Sequence, residues 1–274
     1  MATGKTKVAA LQLTSIDDVE HNLARVEQLT REAIADGASL VVLPENFQYM
    51  GPEDGKFAVA EALPEGGPIL RRLSTLARET KTELILGGFI EKSPQQGKAR
   101  NACIHLAEDG RVKAIYRKIH MFDVDLPDGT KLQESATVEA GGVDQVLVTD
   151  TRAGKLGLSV CYDLRFPELY RKHVDLGATL ITVPAAFTLQ TGKDHWHVLL
   201  RARAIESQCY VIAAAQYGHH WGNRRSYGHA LISDPWGLVV SECSDGEGYA
   251  IATIDQGYVD RVRHAVPSLQ HRKL

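Results

Sequence analysis

Three residues of this 274-residue chain have side chains that could together make and break a covalent bond: Glu45, Lys118 and Cys161. Glu45 follows the apolar run Leu40-Val41-Val42-Leu43-Pro44, Lys118 follows Ile115-Tyr116-Arg117, and Cys161 closes Leu158-Ser159-Val160. A carboxylate beside a thiol can take its proton as general base for a nucleophile. A lysine ammonium beside both can lower the thiol pKa and stabilise an oxyanion. Each residue also has an ordinary role: a small buried cysteine, a loop carboxylate, a solvated lysine. The three lie far apart in the chain, so chemistry requires a fold that gathers them.

The elements that would do so can be read from pattern. Leu156, Leu158 and Val160 alternate as in a strand, and Asp163, Pro167 and Glu168 suit a helix start, with Asp163 as N-cap. Cys161 then falls where a strand meets a helix N-terminus, whose free N–H groups favour a thiolate or an oxyanion. Upstream, a strand is expected over 8–13. A helix follows, capped by Asp17 or Asp18, carrying Val19, Leu23, Val26, Ala33 and Ile34 and stopped by Gly37. A strand over 40–43, a helix from Pro68, and a strand over 83–90 come next. Glu108-Asp109-Gly110 marks a hairpin between 102–107 and 112–116. Residues 118–142 read as irregular, and 143–148 as a strand paired with the Cys161 strand. Helices over 167–176 and from Gly192 to about Ser207 alternate with strands over 179–183 and 209–215. Residues 217–225 read as a loop. Strands over 227–233, 238–243 and 249–254 read as a closing meander, followed by a helix over 255–264 and a basic tail from Val266. Helices alternating with strands, plus consecutive strands, indicate an α/β protein with mixed sheets. The order strand, helix, strand ending in proline occurs near both Pro44 and Pro184. With no linker or low-complexity stretch, 1–274 reads as a single domain.

The composition excludes several classes. Hydrophobic residues make up 44% and charged residues 24%, which is an ordinary globular balance. A net charge of −3 offers no global attraction for nucleic acid or anionic membrane, and no apolar run approaches the roughly 20 residues of a membrane span. The four cysteines are scattered without a C-x-x-C pair, and the N-terminal stretch has no apolar leader core, so a reducing cytoplasm is expected. His195 and His197 form an H-x-H pair, with His219 and His220 in the expected loop, but acidic or cysteine ligands at zinc spacing are missing. No metal or cofactor is expected. Gly154-Lys155-Leu156-Gly157 lacks phosphate-loop spacing and G-x-G-x-x-G, which argues against a nucleotide site.

Leu43-Pro44-Glu45-Asn46, Tyr116-Arg117-Lys118-Ile119-His120 and Cys161-Tyr162-Asp163-Leu164-Arg165-Phe166-Pro167-Glu168 resemble, in order and approximate spacing, the Glu, Lys and Cys motifs of the nitrilase, or carbon–nitrogen hydrolase, superfamily. The resemblance implies a four-layer αββα sandwich of two mixed sheets flanked by helices. It implies Cys161 as nucleophile, Glu45 as general base and then acid, and Lys118 with the backbone N–H of Tyr162 as oxyanion donors. Glu134, in Lys-Leu-Gln-Glu-Ser, matches a second glutamate that would orient Lys118 or the substrate amide. A dimer or larger homo-oligomer, formed through helices beside the active-site face, is also implied.

Further segments resemble the branch containing deaminated-glutathione amidases: Pro184-Ala185-Ala186-Phe187, Gly192-Lys193-Asp194-His195-Trp196, Ser226-Tyr227-Gly228-His229 and Cys209-Tyr210-Val211-Ile212. They imply hydrolysis of the terminal amide of deaminated glutathione to 2-oxoglutarate and cysteinylglycine, a metabolite repair reaction. Such a substrate carries carboxylates, for which Arg165, Arg224 and Arg225 are candidate partners, with Phe187 as an apolar wall. Arg203 is expected instead to pair with Glu206 along one helix face. The rival readings are an ω-amidase, a carbamoylase, a nitrilase, or an idle scaffold of the same fold.

Overall fold

The computed structural model describes residues 5–125 and 131–273; residues 1–4, 126–130 and 274, which fall in the N-terminal stretch, the irregular segment and the tail read above, lie outside the described residues. β1 (Thr6–Leu13), α1 (Val19–Ala35) and β2 (Leu40–Leu43) open the chain. α1 begins where the Asp18 carboxylate accepts the His21 N–H at 3.0 Å. A one-turn helix α2 (Lys56–Val59) precedes α3 (Pro68–Thr80), which starts on proline and turns Ile69, Leu70, Leu73 and Leu76 inward. β3 (Glu83–Lys92), β4 (Ala99–Leu106) and β5 (Val112–Arg117) follow, the last two joined through Gly110 at φ +82°. β6 (Asp123–Asp125) and β7 (Lys131–Gln133) pair antiparallel inside the segment expected to be irregular.

The second part runs β8 (Val148–Thr151), β9 (Gly154–Leu158), α4 (Pro167–Asp175), β10 (Leu180–Thr182), α5 (Leu189–Ser207) and β11 (Tyr210–Ala213). β12 (Ala215–Trp221), β13 (Arg224–Tyr227), β14 (Leu231–Ser233), β15 (Val239–Glu242), β16 (Gly248–Ile254), α6 (Gln256–Ala265) and α7 (Ser268–His271) complete it. One sheet has the order β13-β12-β1-β2-β3-β4-β5, with β16 also on β1; the other has the order β15-β14-β11-β10-β9-β8.

Side-chain alternation dictates the layering. Val8 and Ala10 of β1 face the core between the sheets, whereas Ala9, Leu11 and Leu13 face α1 and α3. Both faces are covered, so the strand reads as one continuous apolar run. On the other side Leu169, Tyr170, Trp196 and Leu200 bring α4 and α5 onto the second sheet. The result is an αββα sandwich. The proline echo proves topological: β9-α4-β10-α5-β11-β14-β15 repeats the order and strand directions of β1-α1-β2-α3-β3-β4-β5, and β8 flanks β9 antiparallel as β16 flanks β1.

Three expectations change. Residues 143–148 begin as a 3-10 turn at Val143–Gln145, and only Val148 enters a strand. Residues 217–225 form the β12–β13 hairpin rather than a loop, because Ala215 and Gln216 find parallel partners at Gln12 and Leu13. The closing meander is split: β14 and β15 stay in the second sheet while β16 crosses to pair with β1. The last two depend on partners remote in sequence, which local pattern does not carry.

Candidate active site

Glu45 leaves β2 through Pro44 and is almost wholly buried. Its Oε1 accepts from Asn101 Nδ2 at 2.9 Å and from Lys118 Nζ at 3.2 Å, and its Oε2 accepts the Ala186 backbone N–H at 2.9 Å. Ala186 follows Pro184, so the two proline turns meet at this carboxylate. Gly88 makes room for it. At φ +61°, a Cβ on Gly88 would lie 2.5 Å from Glu45 Cγ, so this bulge in β3 requires glycine.

Lys118 follows β5, its backbone N–H tied to the Asn101 carbonyl at 2.9 Å. Its ammonium donates to Glu134 Oε1 at 2.9 Å and Oε2 at 2.8 Å as well as to Glu45. Glu134, in the 3-10 turn Glu134–Ala136, is itself held by the Phe122 N–H at 2.7 Å. A buried lysine between two carboxylates has its charge compensated and its direction fixed.

Cys161 follows the extended Val160 and takes φ +49°, a left-handed conformation that a cysteine adopts only under surrounding constraint. The constraint is visible. The Cys161 N–H donates to the Pro184 carbonyl at 2.9 Å, and buried Asp163 accepts from the Val160 N–H at 2.9 Å. Asp163 also accepts from Tyr116 Oη at 2.8 Å and lies 2.7 Å from His120 Nδ1, bracing the cysteine turn against both flanks of Lys118. This corrects the sequence reading. Asp163 does not cap α4, whose N-cap is Phe166, and Cys161 opens a separate 3-10 turn, Cys161–Arg165. The Tyr162 N–H, in the first turn of that helix, makes no hydrogen bond among the described residues.

The electrostatics assign protons. Burial raises the Glu45 pKa, but the Lys118 charge and hydrogen bonds from Cys161, Asn101 and Ala186 outweigh it, so Glu45 titrates below the usual carboxylate range. For Lys118, burial acts downward, and the charges of Glu134, Glu45 and Cys161 overcome it, leaving the ammonium held above the ordinary lysine value. Burial and then the Glu45 charge push the Cys161 thiol well above its usual range, despite the opposing pull of Lys118. The resting triad is therefore carboxylate, ammonium and thiol. Lys118 does pull the thiol pKa down, but burial and the adjacent carboxylate outweigh it.

All three side chains line one cavity of about 310 Å³, together with Glu134, Asn101, Phe122, Tyr49, Lys56 and Arg224. Glu53 at its edge pairs with Lys56 and, at 3.5 Å, with Arg224. Of the expected substrate contacts, Arg224 lines this cavity. Arg165, Phe187 and Arg225 are not among its described lining residues. The Arg165 guanidinium instead sits over the Phe187 and Tyr162 rings, 5.2 and 5.8 Å from their centroids. Phe187 packs on Trp196, and Arg225 faces solvent from β13. Arg203 pairs with Glu206 at 2.6 Å, as its helix spacing requires, and also donates to the Leu164 carbonyl of the cysteine turn.

Residues 7–264 match the family model described as carbon-nitrogen hydrolase. The chain belongs to the carbon–nitrogen hydrolase family. It is 46% identical to a deaminated glutathione amidase of Synechocystis over 96% of this chain and 97% of that protein. It is 43% identical to the deaminated glutathione amidase of Homo sapiens over 97% of this chain and 82% of that one. The crystal structure of the Caenorhabditis elegans NitFhit protein superposes with a TM-score of 0.92 at 40% identity, covering 100% of this chain and 66% of that one. Saccharomyces cerevisiae Nit3, a member of branch 10 of the nitrilase superfamily, gives a TM-score of 0.85 at 33% identity over 96% of this chain and 94% of that one.

The candidate site holds more residues than sequence reasoning found. Asn101 touches Glu45 and lies 3.4 Å from Glu134, yet in sequence it is one polar residue within a strand. Gly88 had a visible signal, a Gly-Gly pair interrupting an apolar strand. Lys56 lies on the short helix α2 in a stretch that read as irregular. The Ala186 N–H carries no side-chain signature. His195, His219 and His220 do not converge: they contact Arg165, the Gly222 carbonyl and Ser226 respectively. Among the described residues no helix is long and apolar enough to cross a membrane.

Proposed function

We propose that this carbon–nitrogen hydrolase is a cysteine amidase that hydrolyses the amide bond of deaminated glutathione joining its two products, 2-oxoglutarate and cysteinylglycine. The observation that carries the mechanism is the convergence of Glu45, Lys118 and Cys161 on one buried cavity with the proton on sulfur. Sγ attacks the amide carbon as its proton passes to Glu45. The carbonyl oxygen becomes an oxyanion facing the Lys118 ammonium and the free Tyr162 N–H. Glu45 then gives that proton to the departing nitrogen, cysteinylglycine leaves as the free amine, and a 2-oxoglutaryl thioester stays on Cys161. Glu45 next deprotonates a water that attacks the thioester. The acid is released and the proton returns to sulfur. Glu134 keeps Lys118 aimed during both steps.

The names of the relatives support this substrate, and so do the cations at the cavity edge. Lys56 and Arg224, gathered by Glu53, would meet the carboxylates of a 2-oxo acid peptide. The test is product release by the wild type and Cys161→Ser, read as cysteinylglycine from deaminated glutathione and as ammonia from 2-oxoglutaramate and a simple nitrile. The expected result is highest kcat/KM on deaminated glutathione and no turnover by the variant. Equal or greater kcat/KM on 2-oxoglutaramate would make the protein an ω-amidase instead. No product from any of the three compounds would leave the idle-scaffold reading. The chain also self-associates in this reading. α5 exposes Val198 and Ile205, and Trp236 and Leu238 beside Gly237, which packs on Ile205, extend the same apolar face. Light scattering on the eluted protein gives the number of copies.

A further inference from the structure

His197 was paired by sequence spacing with His195, but the fold gives it other neighbours. Its Nε2 lies 2.8 Å from Glu242 Oε1, and His229 Nδ1 lies 2.8 Å from the same oxygen. One candidate ligand atom from each residue lies within 4.8 Å of the other two. The three side chains come from α5, from the turn after β13, and from β15. None of them lines the catalytic cavity.

We propose that His197, His229 and Glu242 form a binding site for a divalent transition-metal ion of the zinc class. Two imidazoles and one carboxylate are a donor set that zinc accepts with water in the fourth position. Imidazole nitrogen also selects against calcium and magnesium, which take oxygen ligands. Tetrahedral bonds of about 2.0–2.1 Å place neighbouring donors about 3.4 Å apart. The 2.8 Å contacts must therefore open by about half an ångström. The side chains, 25–32% exposed, have room for that.

The site is built in advance of any ion. Trp196 Nε1 donates to the His229 carbonyl at 2.8 Å, which fixes the helix residue preceding His197 against the turn carrying His229. Gly228 and His229 both take positive φ, +80° and +58°, a sharp turn that aims the imidazole back toward α5. The Tyr227 ring lies against both imidazoles, with centroids 4.5 Å from His229 and 6.0 Å from His197. Without metal, an imidazole N–H donates to Glu242 from each side. On binding the ion, each neutral imidazole carries its proton on the other ring nitrogen and presents a lone pair in place of the N–H. Asp245 Oδ1, 3.9 Å from His229 Nε2, adds negative charge at the edge. The ion would clamp α5 to β15.

The test uses the full, untagged chain after chelator treatment, titrated with zinc chloride alone by calorimetry and by dialysis with elemental analysis. Wild type and Cys161→Ser should each bind one zinc per chain and melt at a higher temperature with zinc. Losing an outer partner of a metal ligand already costs about 10–100-fold in affinity, so His197→Asn, His229→Asn and Glu242→Gln should each cost at least that. Asparagine tolerates the left-handed backbone at 229. The variants should keep the metal-free melting temperature and the wild-type amide turnover, which separates lost ligation from lost folding. Absence of zinc binding by the wild type overturns the proposal. So does binding retained in both histidine variants, or binding abolished by Cys161→Ser, which would place the ion on the thiol.

Discussion

Glu45→Gln separates two consequences of one carboxylate. In the proposed mechanism Glu45 is the base, and positioned general bases contribute about 10²–10⁴-fold. As a charge, it opposes ionisation of Cys161. Two unit charges about 4 Å apart at an effective dielectric constant of 20 interact by about 4 kcal/mol, or about 3 pH units on the thiol midpoint. Replacing Glu45 by glutamine removes this repulsion and leaves the Lys118 ammonium, which favours thiolate. The variant should lose at least about 100-fold in kcat. Yet its Cys161 should be alkylated by iodoacetamide at a lower pH than wild type. The assay is the second-order alkylation rate against pH, with Cys161→Ser subtracting the other three cysteines and a melting curve confirming the fold. An alkylation midpoint unchanged or raised in Glu45→Gln would refute the electrostatic reasoning, even if turnover were lost.

Because Glu45 titrates below its ordinary value of 4.5, the acid limb of kcat/KM should fall below that pH. The stability Glu45 contributes is present above the unfolded carboxylate pKa and is lost as pH falls through the folded one. Parallel pH–rate and pH–melting curves check both. Gly88→Ala should lower melting temperature and turnover together, since left-handed alanine costs about 1–2 kcal/mol and its Cβ meets Glu45 Cγ at 2.5 Å. Gly97→Ala, at φ +74° with no atom within 4 Å of its Cβ, should show the strain alone and keep its activity. Asp163→Ala strands the Val160 N–H and the Tyr116 hydroxyl, at about 1–3 kcal/mol each, so denaturant unfolding should shift by a total in the range of about 2–6 kcal/mol. An unshifted midpoint would remove Asp163 from the scaffold of the site.

Elements announced by a local cause were legible in the sequence. The Asp18 cap, the Pro68 start and the Asp109-Gly110 turn all act through neighbours a few residues away. Elements decided at long range were not. The β12–β13 hairpin looked polar and loop-like because one edge of it is solvated, and β16 found β1 across almost the whole chain. The site divides in the same way. Glu45, Lys118, Glu134 and Cys161 have side chains whose chemistry is conspicuous, and the structure gathers them. Asn101 and the Ala186 N–H act only through position, and position comes from the sheets. The cysteine turn was misread because its defining feature, a left-handed residue held by Pro184 and Asp163, depends on strands outside its own segment.

The repeated topology makes the site a division of labour between two similar halves. Pro44-Glu45-Asn46 and Pro184-Ala185-Ala186 occupy corresponding places after β2 and β10, and they touch where the Ala186 N–H meets Glu45. A carboxylate in both loops would bring like charges together in a buried space, raising both pKa values and removing the base. Only one half can be acidic there, and the other is confined to a small residue whose main chain does the work. The proposed nucleophile, Cys161, likewise stands after β9 in one half, while Lys118 stands after β5 in the other. Neither half holds a complete set, so an architecture close to twofold supports a single, directional reaction centre at the seam.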